Sequence, residues 1–141
     1  MAILTERDRA SVRTELQKLA GPVKLVVFGS QLGSETSAET ERLVREVSEC
    51  SDQVTVEPYN LHIDRDRAAG YGVDRVPAVI VEGARDYGIR FFGIPAGYEF
   101  TNLIDAMVVA SSGEPQLSPE TIERVRGITQ PVHIRVFATP T

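Results

Sequence analysis

The apolar positions at the start of the chain predict a helix followed by a buried strand. Thr5 and Asp8 stand three residues apart, in the pattern of a helix capping box. The apolar residues that follow recur at helical spacing, at Val12, Leu16 and Leu19. After Gly21 and Pro22, residues 23–28 form a short and nearly continuous apolar run, which is typical of a strand buried on both faces.

The same alternation of helical and strand-like spacing continues along the chain. It predicts a helix over 34–50, a strand over 54–59, a short helix over 64–72, a strand over 78–81, a hairpin return strand over 89–92 and a helix over 98–110. A linker at 111–115 precedes a short helix capped by Ser118 and Pro119. This order predicts an α/β fold with three α/β/α layers, a mixed four-stranded sheet, an extra N-terminal helix and a C-terminal helix–strand stub.

One segment of the sequence occurs twice. Pro22–Phe28, PVKLVVF, returns as Pro131–Phe137, PVHIRVF, and each copy follows a helix-like segment. A period this long corresponds to a whole domain and not to a solenoid repeat. We therefore expect residues 1–112 to be one unit and residues 113–141 to be a linker, a helix and the first strand of a truncated second unit. An unpaired apolar strand at 131–138 should pair either with the sheet edge of the first unit or with another chain, as in a homodimer.

Composition narrows the classes of function. The 141 residues are 42% apolar and 25% charged, which is ordinary for a globular domain, and the net charge of −5 argues against nucleic acid as a partner. No apolar run is long enough for a membrane span, so no membrane partner is expected. The N-terminal residues lack the basic start and apolar core of a signal peptide, which favours a cytoplasmic protein.

Cys50 is the single cysteine, so an internal disulfide is impossible, and two histidines make a thiolate or imidazole metal cage unexpected. Cys50 falls on the apolar side of the helix predicted over 34–50, which favours a buried structural role over a reactive one. His62 and His133 have no acid and nucleophile at a suitable spacing and are interpreted as structural.

Two motifs resemble a known family. The Val76–Pro77 step before a strand resembles the corresponding step of the thioredoxin fold, where the proline is cis and the backbone before it holds an extended substrate. Residues 92–100, FGIPAGYEF, resemble the Gly-Leu-Pro-Ala-Gly-His-Glu-Phe stretch of the two-unit protein disulfide oxidoreductases, the glutaredoxin-like proteins of thermophiles. The segments 22–25 and 136–141 also resemble that family, so the resemblance extends over essentially the whole chain.

The chain departs from this family at its redox motif. Ser34-Glu35-Thr36-Ser37 stands at the start of the helix after the first strand, where the family has Cys-x-x-Cys. A helix N-terminus lowers the pKa of a thiol, and the thiolate attacks a disulfide, whereas a serine hydroxyl stays protonated and forms no mixed disulfide. Two origins fit: both cysteines were replaced deliberately, or the unit is naturally redox-silent, as in the N-terminal domain of the alkyl hydroperoxide reductase flavoprotein. Ser34 is also a suitable helix N-cap in either case.

The resemblance implies the N-terminal unit of a thiol–disulfide oxidoreductase that acts on protein thiols and disulfides. Ser34 would hold the place of the attacking cysteine and Ser37 that of the resolving cysteine, with Val76 and Pro77 forming the substrate-binding edge. The resemblance implies neither a metal nor an organic cofactor. It does imply an electron donor similar to thioredoxin reductase. Asp64 could correspond to the acidic residue that family members carry just past the second strand.

Two alternatives of a different class stay open. The unit could be a non-catalytic binding module that holds an extended peptide beside Pro77. It could instead be a platform for a second, redox-active unit, in which case a large apolar surface should lie open. Glu35 and Glu39, which could be interpreted as paired acid–base carboxylates, are better explained as surface groups that favour the positive end of a helix dipole.

Overall fold

The computed structural model describes residues 1–32 and 34–139. Its elements follow the predicted order: α1 (Glu6–Leu16), β1 (Val23–Gly29), α2 (Glu35–Ser48), β2 (Val54–Asn60), α3 (Arg65–Tyr71), β3 (Ala78–Glu82), β4 (Asp86–Phe92), α4 (Tyr98–Ser112) and α5 (Pro119–Arg126). The capping box predicted at Thr5 and Asp8 is present at the start of α1. None of the helices in the described ranges combines the length and apolar character that a membrane crossing requires.

The sheet is mixed, as predicted, with the strand order β2-β1-β3-β4. β1 is parallel to β2 and antiparallel to β3, and β3 is antiparallel to β4. Phe28 near the end of β1 lies opposite Ala78 at the start of β3. This register places Pro77, the residue before β3, at the same end of the sheet as the carboxyl end of β1.

Helices cover both faces of the sheet, which confirms the three predicted layers. On one face, α1, α2 and α4 pack over the odd-numbered side chains of the two central strands, Val23, Leu25, Val27, Val79 and Val81. On the other face, α3 and the segment after it pack over Val26, Phe28, Ala78 and Ile80. The side chains of β1 are therefore buried on both faces, in agreement with its continuous apolar sequence.

The N-terminal residues are fixed to α2 by one carboxylate. Glu46 is buried, accepts hydrogen bonds from the amides of Ile3 and Leu4 at 2.8 Å each, and lies 3.1 Å from the guanidinium of Arg9. Burial alone would raise the pKa of this carboxyl, but the two amides and Arg9 outweigh it, so the pKa is lowered. The charged form of Glu46 therefore stabilises the packing of residues 1–9 against α2.

The C-terminal segment differs from its predicted form. α5 is helical and capped by Ser118, as expected, but none of its residues is buried. Residues 131–139 are exposed and form no strand, so pairing of this segment with the sheet edge of its own unit is wrong. An apolar alternating segment becomes a strand only when a neighbouring strand supplies partners for its N–H and C=O groups. In the structure, neither edge strand, β2 or β4, pairs with residues 131–139.

Candidate functional site

The candidate site lies where α2 begins, at the carboxyl end of β1. Gly29, the last residue of β1, faces Ser37 in the first turn of α2. A Cβ atom at Gly29 would lie 3.2 Å from the Cβ of Ser37, closer than most carbon contacts, so glycine lets the helix start approach the strand end. The two serines of the predicted motif therefore lie next to the carboxyl end of β1.

Ser34 and Ser37 form a hydrogen-bonded pair of hydroxyls. Their Oγ atoms are 2.7 Å apart, and the amide of Ser37 donates to the Oγ of Ser34 at 3.0 Å. The amide of Ser30 donates to the Oγ of Ser37 at 3.3 Å. Ser37 is only 5% exposed, whereas Ser34 is half-buried. Ser34 is thus the N-cap of α2 and the more accessible member of the pair.

The close approach of the two hydroxyls determines which chemistry the pair can support. The side chains stand three residues apart on the first turn and point at each other, and a disulfide needs its two sulfur atoms about 2 Å apart. At this distance one hydroxyl donates a hydrogen bond to the other. Hydroxyl groups do not undergo exchange with a disulfide, because the attacking group in that reaction is a thiolate. Among the described residues, the site also contains no histidine or lysine that could serve as a base for a serine nucleophile.

A cleft of about 510 Å³ opens beside the serine pair. It runs between the start of α2 and the carboxyl end of β2, and Glu41, Tyr59 and Asp64 are among the side chains that line it. Asp64, suggested by the family resemblance, is therefore brought to the same cleft as Ser34 and Ser37. Its carboxylate accepts a hydrogen bond from the amide of Asn60 at 2.8 Å. The pKa of the Tyr59 phenol is raised by burial and by its hydrogen bond to Glu57.

The second predicted feature lies at the same end of the sheet but outside this cleft. The Val76–Pro77 peptide bond is cis, Pro77 is buried and Val76 is half-buried. The carbonyl of Pro77 accepts a hydrogen bond from the amide of Gly93 at 2.9 Å, which ties it to the segment after β4. Within residues 1–32 and 34–139, no hydrogen bond engages the amide or the carbonyl of Val76.

The other titratable residues singled out in the sequence lie away from the site or on the surface. Cys50 follows the last turn of α2, at the opposite end of that helix from Ser34, and is half-buried instead of fully buried. Burial raises the pKa of its thiol, and the thiol donates to the carbonyl of Glu46. His62 and His133 are exposed. In the part of the chain that the structure describes, no three potential metal-ligating side chains cluster.

Sequence reasoning missed three residues of this site: Ser30, Glu41 and Tyr59. Glu41 lies about two turns into α2, and its position facing the cleft follows from helical spacing relative to Ser34 and Ser37. Tyr59 lies near the end of β2, next to β1 in a parallel pair, and parallel strands bring their carboxyl ends to one edge. Ser30 carries no signal of its own in the sequence, because it contributes a backbone amide.

No family model matches the sequence, but individual proteins do. The chain is 29% identical over 134 residues to the F subunit of the alkyl hydroperoxide reductase of Staphylococcus epidermidis, covering 94% of the chain and 24% of that protein. It is 27% identical over 139 residues to NADH dehydrogenase of Bacillus subtilis, covering 99% of the chain and 25% of that protein. The chain thus spans about a quarter of the length of these relatives.

Solved structures give the same picture of the fold. A protein disulfide oxidoreductase from Aeropyrum pernix superposes with a TM-score of 0.78 at 30% identity, over 90% of this chain and 56% of that one. The F subunit of the alkyl hydroperoxide reductase of Enterococcus faecalis superposes with a TM-score of 0.79 at 24% identity, over 88% of this chain and 60% of that one. The fold is thioredoxin-like, as the motifs implied.

Proposed function

We propose that this member of the thioredoxin-fold family is a unit of a thiol–disulfide oxidoreductase whose redox site is silent because Ser34 and Ser37 occupy the two cysteine positions. One observation carries the proposal: the two hydroxyls stand 2.7 Å apart at the start of α2, directly after the central strand. The helix N-terminus favours negative charge on a side chain placed there, which is what activates a thiol in this position. The scaffold for thiol chemistry is therefore complete except for sulfur.

Val76 supplies the substrate edge in this proposal. Its amide and carbonyl make no hydrogen bond within the described part of the chain, and it lies at the end of the sheet where α2 begins. An extended peptide can pair with a free backbone edge of this kind by adding a strand. The substrates are accordingly protein segments in extended form, with a cysteine or a disulfide placed next to residue 34.

The experiment is reduction of insulin disulfides by dithiothreitol, with this chain and its Ser34→Cys/Ser37→Cys variant. The double variant should accelerate insulin reduction above the rate with dithiothreitol alone, and the parent chain should not. Each single variant serves as a matched control, because one thiol forms a mixed disulfide but has no partner to resolve it. A double variant that is folded by circular dichroism and yet no faster than its single variants would overturn the proposal.

A second candidate is a non-catalytic unit that supports a separate redox-active unit. It is favoured by the surface of the segment after α4. Apolar residues that are buried in the first copy of the repeat have exposed apolar counterparts in the second: Leu25 is 0% exposed and Ile134 81%, and Phe28 is 0% exposed and Phe137 90%. The exposed apolar side chains of the second copy are thus of the kind that a core contains, and nothing in the described residues covers them. We include in the proposal that residues 113–141 are the opening of a second unit, as the repeat predicts.

The two candidates differ in what the restored site does. A catalytic unit gains turnover with the two introduced thiols, whereas a supporting unit stays inert and still binds an extended peptide at Val76. For the catalytic unit, the proposal includes an electron donor similar to thioredoxin reductase and a reducing, cytoplasmic setting, which agrees with a single unpaired cysteine. It also includes association of two copies through the segment after α4.

A further inference from the structure

An exposed arginine lies next to the proposed substrate edge. Arg75 directly precedes Val76 in the chain, and its side chain is 70% exposed. Its guanidinium carbon lies 4.4 Å from the centre of the Phe92 ring, which is a cation–π contact. In the ranges that the structure describes, the one ion-pair contact of Arg75 is with Asp74, at 3.8 Å. This distance is too long for a hydrogen bond, so the guanidinium keeps its donors available for a ligand.

The contact with Phe92 fixes the position of this guanidinium. An arginine that is free on the surface loses side-chain entropy when it binds a partner. Here the ring restricts the guanidinium before a ligand arrives, and Phe92 is itself held at the end of β4, opposite Ala78 of β3. A guanidinium that rests with its face on a ring presents its N–H groups at its rim, in the fork that matches a carboxylate. Arg75 is therefore suited to binding a carboxylate.

The strand order places Arg75 in line with the serine pair. Phe28 near the end of β1 lies opposite Ala78, and Ala78 lies opposite Phe92, so these strand ends share one edge of the sheet. In the order β2-β1-β3-β4, the ends of β1 and β4 are two strand spacings apart, or about 10 Å. Two residues of an extended peptide cover about 7 Å of this distance, and the two interacting side chains reach across the rest. A carboxylate two residues from the reacting cysteine thus comes within reach of Arg75.

The opposite side of the serine pair disfavours an acidic group. The cleft beside β2 is lined by Glu41 and Asp64, and no lysine or arginine is among its described lining residues. Glu41 is paired with Arg45 at 2.7 Å. The Asp64 carboxylate accepts a hydrogen bond from the amide of Asn60 and, within residues 1–32 and 34–139, has no ion pair. An acidic substrate residue placed in this cleft therefore meets a charge of its own sign, which costs binding energy.

We infer that Arg75 is a specificity-determining residue of the proposed site, and that it binds the carboxylate of an aspartate or glutamate on one side of the substrate cysteine. The inference rests on the proposed function, because it requires an extended peptide at Val76. Phe92 is a positioning residue, since it acts on the substrate through Arg75. The substrates are accordingly extended protein segments with an acidic residue close to the cysteine on the side that faces β4.

The test is the binding of blocked peptides to the parent chain, followed by ¹H–¹⁵N nuclear magnetic resonance titration. The probes are acetylated and amidated threonine-rich nonapeptides with a central serine in place of cysteine, so no covalent step intervenes. One carries glutamate two residues before the serine, one carries it two residues after, and the third has glutamine at both positions. One glutamate peptide should bind about three- to tenfold tighter than the glutamine peptide, as expected for a single exposed bidentate pair. The other should gain nothing.

Variants assign the preference to Arg75. Arg75→Gln should abolish it without weakening the glutamine peptide, and Arg75→Lys should keep only part of it, because lysine retains the charge and lacks the fork. Phe92→Leu should reduce the preference and leave the binding of the glutamine peptide unchanged. The matched control is Arg85→Gln. Arg85 is also exposed and stacked, 4.7 Å from the centre of the Tyr87 ring, but it lies between β3 and β4 at the opposite end of the sheet. Its removal should leave the preference intact.

Several results would overturn the inference. Equal binding of all three peptides, an equal gain for both glutamate peptides, or a preference that survives Arg75→Gln would do so and leave the substrate edge at Val76 in place. Reduced glutathione is a separate arm: Arg75-dependent binding of its free carboxylates without a preference among the blocked peptides would assign Arg75 to a small thiol instead. If none of the peptides binds, the substrate edge at Val76 is wrong and this inference falls with it. The insulin assay tests the redox chemistry independently of all these results.

Discussion

At the scale of single residues, the proposed chemistry of this chain depends on one atom type at two positions, Ser34 and Ser37. Ser34 caps α2 and its hydroxyl is hydrogen-bonded to that of Ser37, so both hydroxyls have partners at the helix start. What changes is the reaction that the site can carry out, because thiolate formation and disulfide exchange require sulfur. Structure and activity are therefore separable at these two residues.

Tyr71 should make the stability of the fold depend on pH. Burial and the hydrogen bond from its phenol to Glu82, 2.8 Å long, raise the pKa of Tyr71 to about 12. Because folding favours the protonated phenol, its contribution is fully present below pH 10 and is lost as pH rises through about 12. We expect the free energy of unfolding, measured by urea titration, to fall over this range by at most about 3 kcal/mol on account of Tyr71.

The variant that isolates this effect is Tyr71→Phe. It should be less stable than the parent at neutral pH and should show a smaller loss of stability above pH 10, since it has no phenol to ionise. Tyr98→Phe is the matched control, because Tyr98 is 81% exposed, and it should follow the parent curve. Parallel curves for the parent and Tyr71→Phe would contradict the assignment.

Residues of the candidate site could be predicted from the sequence where their spacing along the chain is enough to bring them together. Ser34 and Ser37 are three residues apart at a helix start, so the sequence alone indicates that they face each other. Tyr59 and Glu41 reach the same cleft through the pairing of β1 with β2 and the packing of α2, and a single sequence carries no direct signal of such contacts. The half-buried position of Cys50 depends likewise on where α2 ends.

At the scale of elements, the β3–β4 hairpin and α4 approach each other closely at Gly83. A Cβ atom at Gly83 would lie 1.9 Å from the carbonyl oxygen of Ala110, which is backbone and cannot move aside. Gly83→Ala should therefore push α4 away from the hairpin and destabilise the fold by about 2 kcal/mol, the cost typical of overpacking. Thermal or urea unfolding monitored by circular dichroism measures it.

The matched control is Gly70→Ala. Gly70 lies in α3, and an added Cβ there meets no atom within 4 Å. Alanine is a better helix former, so this variant should be neutral or slightly more stable, by up to about 1 kcal/mol. An equal loss of stability in both variants would show that the hairpin contact with α4 is not the cause.

Element positions could be predicted well where caps or apolar runs define them. The starts of α1 and α5 follow from capping residues, and β1 and β3 follow from their apolar sequences. The sequence predicts the start of β4 at Ile89, three residues late, because Asp86 and Gly88 are typical of turns. Asp86 instead pairs with Arg90 on the same strand, a contact that spacing rules for strands do not reveal.

At the scale of the whole molecule, the C-terminal arm, residues 118–139, adds no buried side chain to the core. Because no residue of α5 or of 131–139 is buried, deletion of residues 114–141 should change the free energy of unfolding by less than about 1 kcal/mol. The comparison belongs at low protein concentration, where dimerisation does not add stability by mass action.

A longer deletion provides the control. Removal of residues 107–141 also takes Met107 and Ala110, which are almost fully buried, and should prevent stable folding. If the shorter deletion is equally damaging, the arm belongs to the folded unit and the boundary near residue 112 is wrong.

The arm also shows what the sequence could not provide at this scale. The repeat predicts that residues 131–137 can form a strand like β1, but a strand exists only with a partner, and neither edge strand of the sheet, β2 or β4, pairs with this segment. Local pattern predicts the capacity to form a strand, whereas pairing depends on what else is present. The expectation of pairing with another chain stays a prediction.

The most direct test of the silent redox site is a count of free thiols in Ser34→Cys/Ser37→Cys after equilibration with oxidised glutathione and again after dithiothreitol. We predict three thiols when the variant is reduced and one, that of Cys50, when it is oxidised, with loss of two hydrogens in the intact mass and no attached glutathione. The parent chain should show one thiol in both states. Three thiols after oxidation, or stable glutathione adducts on both introduced cysteines, would contradict the claim that Ser34 and Ser37 occupy the positions of a dithiol pair.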